Sequence, residues 1–272
     1  MKAWWVASLL LGLSLAGPPA AASQDSCGVG PPLPAYAHND YQNARPLFDA
    51  LALGYQGVEA DFHLVRGQLL VAHDRHDVQP DRTLAALYLQ PLQAWVARCG
   101  RILPDGKPLL LNIEAKTSGI EAYRALVQVL RRYRDILTVV RDGTEYPGPV
   151  QVVLVGWYPP LTDLEAETER LVAVQWYADA EAVPAAPAHL IRLVSLDYGD
   201  SIGWDGTGIR PATVAPALQR LIAARDAVPG RIARLHNVPV NAAVYAMALH
   251  TGVDLLGTQD LTATRDLLSG VR

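Results

Sequence analysis

Apolar and polar residues alternate through residues 58–74, VEADFHLVRGQLLVAHD. On an extended strand, side chains two apart share a face, so Val58, Ala60, Phe62 and Leu64 turn one way and Glu59, Asp61 and His63 the other. One face reads as core and the other as chemistry. Further apolar runs predict strands over 35–38, 57–65, 68–73, 109–116, 150–156, 173–177, 193–199, 232–238 and 254–258. Between most of them lie segments of helical period, over 44–54, 84–99, 119–137, 162–172, 212–227 and 241–252. With 57–65 and 68–73 taken as one hairpin, eight strand positions alternate with helices. Alternation of this kind calls for parallel strands joined by right-handed crossovers, and eight such units close into a (β/α)8 TIM barrel. A doubly wound open sheet is the rival architecture, but no glycine-rich dinucleotide or phosphate-loop pattern follows the first strand.

The polar residues sharpen this picture. Tyr36 and His38 share a face of the first strand, Glu59, Asp61 and His63 a face of the second, and Asn112, Glu114 and Lys116 a face of the third. All come late in their strands, where barrel enzymes carry their catalytic groups. Carboxylates gathered from neighbouring strands repel one another unless protonated or collected around a cation. Ligation by oxygen alone suits Mg²⁺ or Ca²⁺ better than zinc, so one divalent cation on Glu59, Asp61 and Glu114 is expected. His38 and His73 form an acid and base pair, and Lys116 offers fixed positive charge to an anionic substrate. A cation, a lysine and two histidines suit cleavage of a phosphodiester. A glycosidase would need neither the lysine nor the histidine pair. Asn39 and Asp40 follow His38 and are expected to orient it or to contact substrate, while Trp157 and His236 are candidates for the pocket wall. His63 is read as a supporting residue.

The hairpin sets its own register test. A three-residue loop at Arg66–Gly67–Gln68, or an equivalent bulge, would set Asp61 opposite His73 and bring both to the barrel mouth; a two-residue turn would set His73 opposite Ala60.

Composition fixes the class. The chain has 272 residues, half of them hydrophobic, and a net charge of -4 with no block of Lys or Arg. A single large domain without a nucleic-acid partner is expected, acting as a monomer on a small substrate. The N-terminus reads as an export signal: Lys2, an apolar run over 4–17 and small residues up to a cleavage point near Ala22. Residues 1–22 are thus the expected signal peptide, 23–34 a tail and 35–272 the barrel, periplasmic or extracellular and without a membrane span in the mature chain. In an exported chain the two cysteines, Cys27 and Cys99, favour one disulfide, the alternative being two unpaired thiols.

The stretch AHNDYQNARPLFDALALGYQGVEADFHLVRGQLLVAHD, residues 37–74, followed by LLLNIEAK, residues 109–116, resembles the phosphatidylinositol-specific phospholipase C-like phosphodiesterase superfamily. Within it the chain is similar to the glycerophosphodiester phosphodiesterase branch and, more narrowly, to the subgroup called altered inheritance of mitochondria protein 6. The resemblance implies a barrel with one divalent cation and two catalytic histidines. It assigns the histidines to His38 and His73, the metal carboxylates to Glu59, Asp61 and Glu114, and the basic residue to Lys116. Glycerophosphodiesterases carry His-Arg-Gly where this chain has His38-Asn39-Asp40, a form shared by the subgroup. His236 stands where the family's strand centres on tryptophan. The implied activity is hydrolysis of a glycerophosphodiester or a phospholipid-type head group. The alternatives are release of a cyclic phosphate by a lyase of the same superfamily, or a barrel that binds metal and phosphoester without catalysis.

Overall fold

The computed structural model describes Met1 and residues 27–178 and 182–270. Apart from Met1, the expected signal peptide and its cleavage point lie outside the described residues. The strands are β1 (Leu33–Ala37), β2 (Tyr55–Val65), β3 (Gln68–Val71), β4 (Leu109–Ala115), β5 (Val139–Arg141), β6 (Thr144–Tyr146), β7 (Val150–Gly156), β8 (Glu169–Arg170), β9 (Val172–Tyr177), β10 (Ile191–Asp197), β11 (Ile232–His236) and β12 (Leu255–Thr258). The main sheet runs β1-β12-β11-β10-β9-β7-β4-β2, and a β1–β2 pairing joins its ends. All these pairings are parallel, so eight strands close the expected barrel. The helices are α1 (Phe48–Leu53), α2 (Gln90–Cys99), α3 (Ile120–Leu130), α4 (Leu161–Glu165), α5 (Tyr198–Ser201), α6 (Val214–Asp226), α7 (Ala242–Thr251) and α8 (Leu261–Gly270).

Strand alternation divides the apolar residues into two cores. Val58, Ala60 and Phe62 of β2, with Leu109, Leu111 and Ile113 of β4, belong to the large core between barrel and helices. Leu110, Val153, Leu193 and Leu255, with Ile232 packed on them, form a smaller cluster inside the barrel. Above it the interior turns polar. Tyr36 is buried there between two glycines: a Cβ at Gly57 would come within 3.3 Å of its ring and one at Gly257 within 3.2 Å. The Arg234 guanidinium lies 4.1 Å from the centre of the same ring.

Three expectations are corrected. Of the helix expected over 162–172 only α4 forms. Glu169 and Arg170 instead make β8, which pairs with β5 in a small sheet completed by β6. Tertiary partners override the helical pattern: Glu169 binds Arg134 and Arg141, and buried Arg170 donates to the carbonyls of Leu164, Val172 and His189. The first helix starts at Phe48, because Pro46 disfavours helical backbone at Arg45 and Leu47 has φ 69°. The hairpin register is Val65–Gln68 through Phe62–Val71, so the connection is the two-residue turn Arg66–Gly67 rather than the expected three-residue loop. Positive φ at both residues, 48° and 79°, matches a turn whose twist suits the flanking strands. The ladder stops at Val71, and by leaving it the chain returns His73 to Asp61 by another route.

Cys27 and Cys99 are joined, tying the tail before β1 to the end of α2. Among the described residues no helix is long and apolar enough to cross a membrane. The bridge closes a loop of sequence separation 72. Its removal in Cys27→Ser/Cys99→Ser should lower the unfolding free energy by about 2–5 kcal/mol. Denaturant titration with and without reductant checks this: reductant should destabilise the native chain and leave the double variant unchanged.

Candidate active site

The β2–β4 register pairs Glu59 with Asn112 and Asp61 with Glu114, which brings three carboxylates to one end of the barrel. One oxygen from each of Glu59, Asp61 and Glu114 lies within 4.8 Å of the other two. Glu59 and Asp61 are almost fully buried, so their mutual repulsion is weakly screened. Burial first, and then the charges of Glu59 and Glu114, push the Asp61 carboxyl above its usual range, against the opposing pull of Tyr41 and Lys116.

Donors surround the cluster. His38 Nε2 stands 3.3 Å from Glu59 Oε2, and the same oxygen accepts the Asn39 backbone N–H at 3.2 Å. On the other side, Asp61 Oδ2 receives the Tyr41 hydroxyl at 2.8 Å, His73 Nδ1 at 3.1 Å and Lys116 Nζ at 3.1 Å. Lys116 also donates to Glu114 Oε1 at 2.7 Å. Burial alone would lower the Lys116 pKa, but Glu114 and Asp61 outweigh it and hold the ammonium charged. His63 approaches the His73 carbonyl with Nε2 at 3.2 Å.

Asp61 Oδ1 is buried and, among the described residues, has no hydrogen-bond donor. A bare carboxylate oxygen amid three like charges is a set of groups suited to a hard cation. The residues therefore fit a divalent ion held by Glu59, Asp61 and Glu114.

The loop after β1 differs from the expectation in one residue. Asp40 is fully buried and accepts the Leu47 N–H at 2.6 Å and the Tyr88 hydroxyl at 2.9 Å. Its carboxylate fixes the loop 40–47 instead of facing substrate, because the left-handed turn at Asn39 (φ 52°) sends the chain inward. Asn39 keeps to the site: its backbone meets Glu59 and its side-chain oxygen lies 2.8 Å from the Tyr41 hydroxyl. The Tyr41 hydroxyl thus has two acceptors, Asp61 Oδ2 and Asn39 Oδ1, for its single proton. Tyr41 escaped the sequence reading, since it sits in a 3-10 turn outside any strand period.

His236 has both ring nitrogens engaged, Nδ1 with Ser195 Oγ at 3.0 Å and Nε2 with Asp197 Oδ2 at 3.2 Å. Burial and the nearby Arg234 charge press its pKa down to about 4. Its ring is thus fixed and neutral, set edge-on to Tyr177. Trp157 is half-buried and packs on the core between barrel and helices. Beside it Gly156 (φ 76°) lies so close to Glu114 that a Cβ would come 3.3 Å from Glu114 Cγ. A groove of about 360 Å³ opens beside His38, bounded by Asn237, Val238, Pro239, Gly257 and Thr258.

Residues 27–103 match the AIM6-like phosphodiesterase domain, a stretch that contains His38, Glu59, Asp61 and His73 but not Glu114 or Lys116. An altered inheritance of mitochondria protein 6 homolog from Arthroderma benhamiae is 30% identical over 162 residues, 51% of this chain and 51% of that protein. Altered inheritance of mitochondria protein 6 from Eremothecium gossypii is 28% identical over 268 residues, 84% of this chain and 67% of the relative. The chain thus spans about half the length of the first relative. A putative glycerophosphoryl diester phosphodiesterase from Silicibacter pomeroyi superposes with a TM-score of 0.54 at 12% identity, over 90% of this chain and 96% of that one, and shares the barrel fold. The resemblance to the altered inheritance of mitochondria protein 6 subgroup read from the sequence is borne out.

Burial raises the Asp40 carboxyl to about 6, against the opposing pull of Leu47 N–H and Tyr88. Its folded-state pKa exceeds the unfolded value, so its contribution to stability is fully present below about pH 4 and is lost as pH rises through about 6. Asp40→Asn should abolish that loss, flattening the stability profile between those limits by on the order of 2–3 kcal/mol. Urea titrations of both proteins at pH 4, 5, 6 and 7 test it; parallel profiles would contradict the assignment.

Proposed function

We propose that this barrel, with its AIM6-like phosphodiesterase domain, is an exported, metal-dependent phosphodiesterase that hydrolyses a glycerophosphodiester or a phospholipid-type head group. The reading rests above all on one observation: three carboxylates converge, with a histidine on Glu59 and another on Asp61 and a lysine bridging Asp61 and Glu114. The Cys27–Cys99 bridge supports export, since such bonds persist in oxidising compartments.

Glu59, Asp61 and Glu114 would hold the cation, which when bound supplies Lewis-acid stabilisation of charge on a phosphoryl oxygen. Lys116 adds a second positive charge on the same side. With Nε2 directed at Glu59, His38 exchanges its proton through Nδ1; with Nδ1 directed at Asp61, His73 uses Nε2. One imidazole takes the proton of the attacking hydroxyl or water, and the other returns one to the departing alkoxide. The carboxylates hold the two rings in place, Glu59 at His38 and Asp61 at His73. Partly exposed His38, at the edge of the groove, has the access to substrate that buried His63 lacks.

The first test is turnover of bis(p-nitrophenyl) phosphate by the protein with Mg²⁺, with Ca²⁺ and after chelation. Activity should depend on the cation and fall about 100- to 10,000-fold in His38→Ala and in His73→Ala. Calorimetry should detect divalent-cation binding that Asp61→Asn abolishes. A chain that neither turns over the diester nor binds either cation would end the proposal.

A pair of glycines separates backbone strain from site geometry. Gly67 and Gly156 share a positive φ, but a Cβ at Gly67 meets nothing within 4 Å. Gly67→Ala and Gly156→Ala should each lose about 1 kcal/mol of stability from the backbone alone. Only Gly156→Ala, which crowds Glu114, should weaken the cation in calorimetry; equal affinities would show that Glu114 takes no part in holding it.

A further inference from the structure

At the opposite mouth of the barrel, where the strands begin, lies a second cavity of about 480 Å³. It is reached past the start of β2 at Gln56 and of β7 at Gln151, and its inner wall includes Leu110, Ile232 and Leu255, three members of the apolar cluster inside the barrel. Around it stand three cations, Lys107, Arg192 and Arg231, and two acids, Glu145 and Asp254.

The ion pairs are not evenly shared. Glu145 is taken by Arg192, which also donates to the Gly230 carbonyl. Asp254 is taken by Arg225 from outside the cavity and by the Ala233 N–H. Arg231 is 5% exposed, and its guanidinium donates to the backbone carbonyls of Ala224, Pro184 and Ala186. Among the described residues it has no carboxylate partner. A buried charge without a counter-charge is costly, and an anion in the adjoining space would relieve it. Lys107, at the exposed rim and 3.5 Å from Asp105, adds attraction from solvent.

We propose that this cavity binds a small organic carboxylate, its negative group on the Arg231 and Lys107 side and its apolar body against Leu110, Ile232 and Leu255. Three features favour this chemistry. The unbalanced charge calls for an anion, the neighbouring Glu145 and Asp254 disfavour a dianion, and the apolar inner wall favours a ligand with a hydrocarbon part. The site is separate from the acidic cluster, which lies at the other ends of β2 and β4, and owes nothing to the phosphodiesterase reading.

Benzoate, with benzamide as its uncharged counterpart, tests the proposal by calorimetry on the whole mature chain. Benzoate should bind saturably at one site, with benzamide about tenfold weaker or worse. Arg231→Met, which keeps the apolar stem, should weaken benzoate by about tenfold. Should that variant fail to fold, Lys107→Glu at the exposed rim serves instead, with a several-fold loss expected. Asp61→Asn should leave benzoate affinity unchanged. The proposal is overturned by absent or unsaturable binding, by equal affinity for benzoate and benzamide, by unchanged affinity in the folded Arg231 or Lys107 variant, or by loss of benzoate binding in Asp61→Asn, which would put the ligand at the acidic cluster.

Discussion

Repulsion among Glu59, Asp61 and Glu114 is the constraint around which the upper half of the barrel is arranged. Parallel register fixes these groups at one level, and oxygens within 4.8 Å of one another repel by about 3–4 kcal/mol per ionised pair at an effective dielectric near 20. Such a cluster survives folding only if its surroundings answer it. Lys116 bridges two of the acids, His38 and the Asn39 amide meet the third, and Tyr41 and His73 complete the coordination of Asp61. Deeper in the barrel the buried guanidinium of Arg234 rests on Tyr36 and donates to Gln175, a second cation below the acids. Three carboxylates against two fixed cations leave a negative cleft, and a divalent ion would reverse its sign.

The interior beneath is built to hold that arrangement still. Apolar residues fill the barrel near the strand starts, and the Tyr36 ring fits above them because Gly57 and Gly257 leave room on either side. A barrel packed in this way is a platform and not a pore. The loops that reach the acids are fixed in turn: Asp40 ties the turn after His38 to Leu47 and Tyr88, and Arg82 donates to the Tyr41 carbonyl. His38, Asn39 and Tyr41 thus approach the cluster from a segment anchored outside it.

Much of this was legible in the chain. The eight strand positions, the carboxylates on β2 and β4, the lysine beyond them and the disulfide follow from period, spacing and residue type. What escaped reading depends on tertiary partners or on backbone outside a regular period. The hairpin was derived from a ladder continued to His73, but the ladder ends at Val71 and the remaining residues are free to turn. Asp40 looked like a site residue because it adjoins His38, yet a left-handed Asn39 separates neighbours in sequence into opposite environments. Residues 162–172 carry a helical pattern that Glu169 and Arg170 abandon for ion pairs and buried carbonyls. Neither α8 nor the small sheet was anticipated, and no single local pattern announces the strands of that sheet, two or three residues long.

Asp61 shows how one side chain can serve two purposes in such a site. Its Oδ2 receives a phenol, an imidazole and an ammonium, which fix the carboxylate plane from three directions. Its Oδ1, buried and without a donor among the described residues, keeps the charge that those bonds do not satisfy. Saturating one oxygen makes the group rigid; leaving the other bare leaves it open to a cation. An Asp with both oxygens satisfied would be a structural anchor with little left for a cation, and one with neither satisfied would lose the Tyr41 and Lys116 contacts that oppose the rise in its pKa from burial. The division is set by Tyr41 and His73 arriving from two separate loops on the same side of the carboxylate, so the capacity to hold a cation is a property of how those loops are tied down as much as of the three acids themselves.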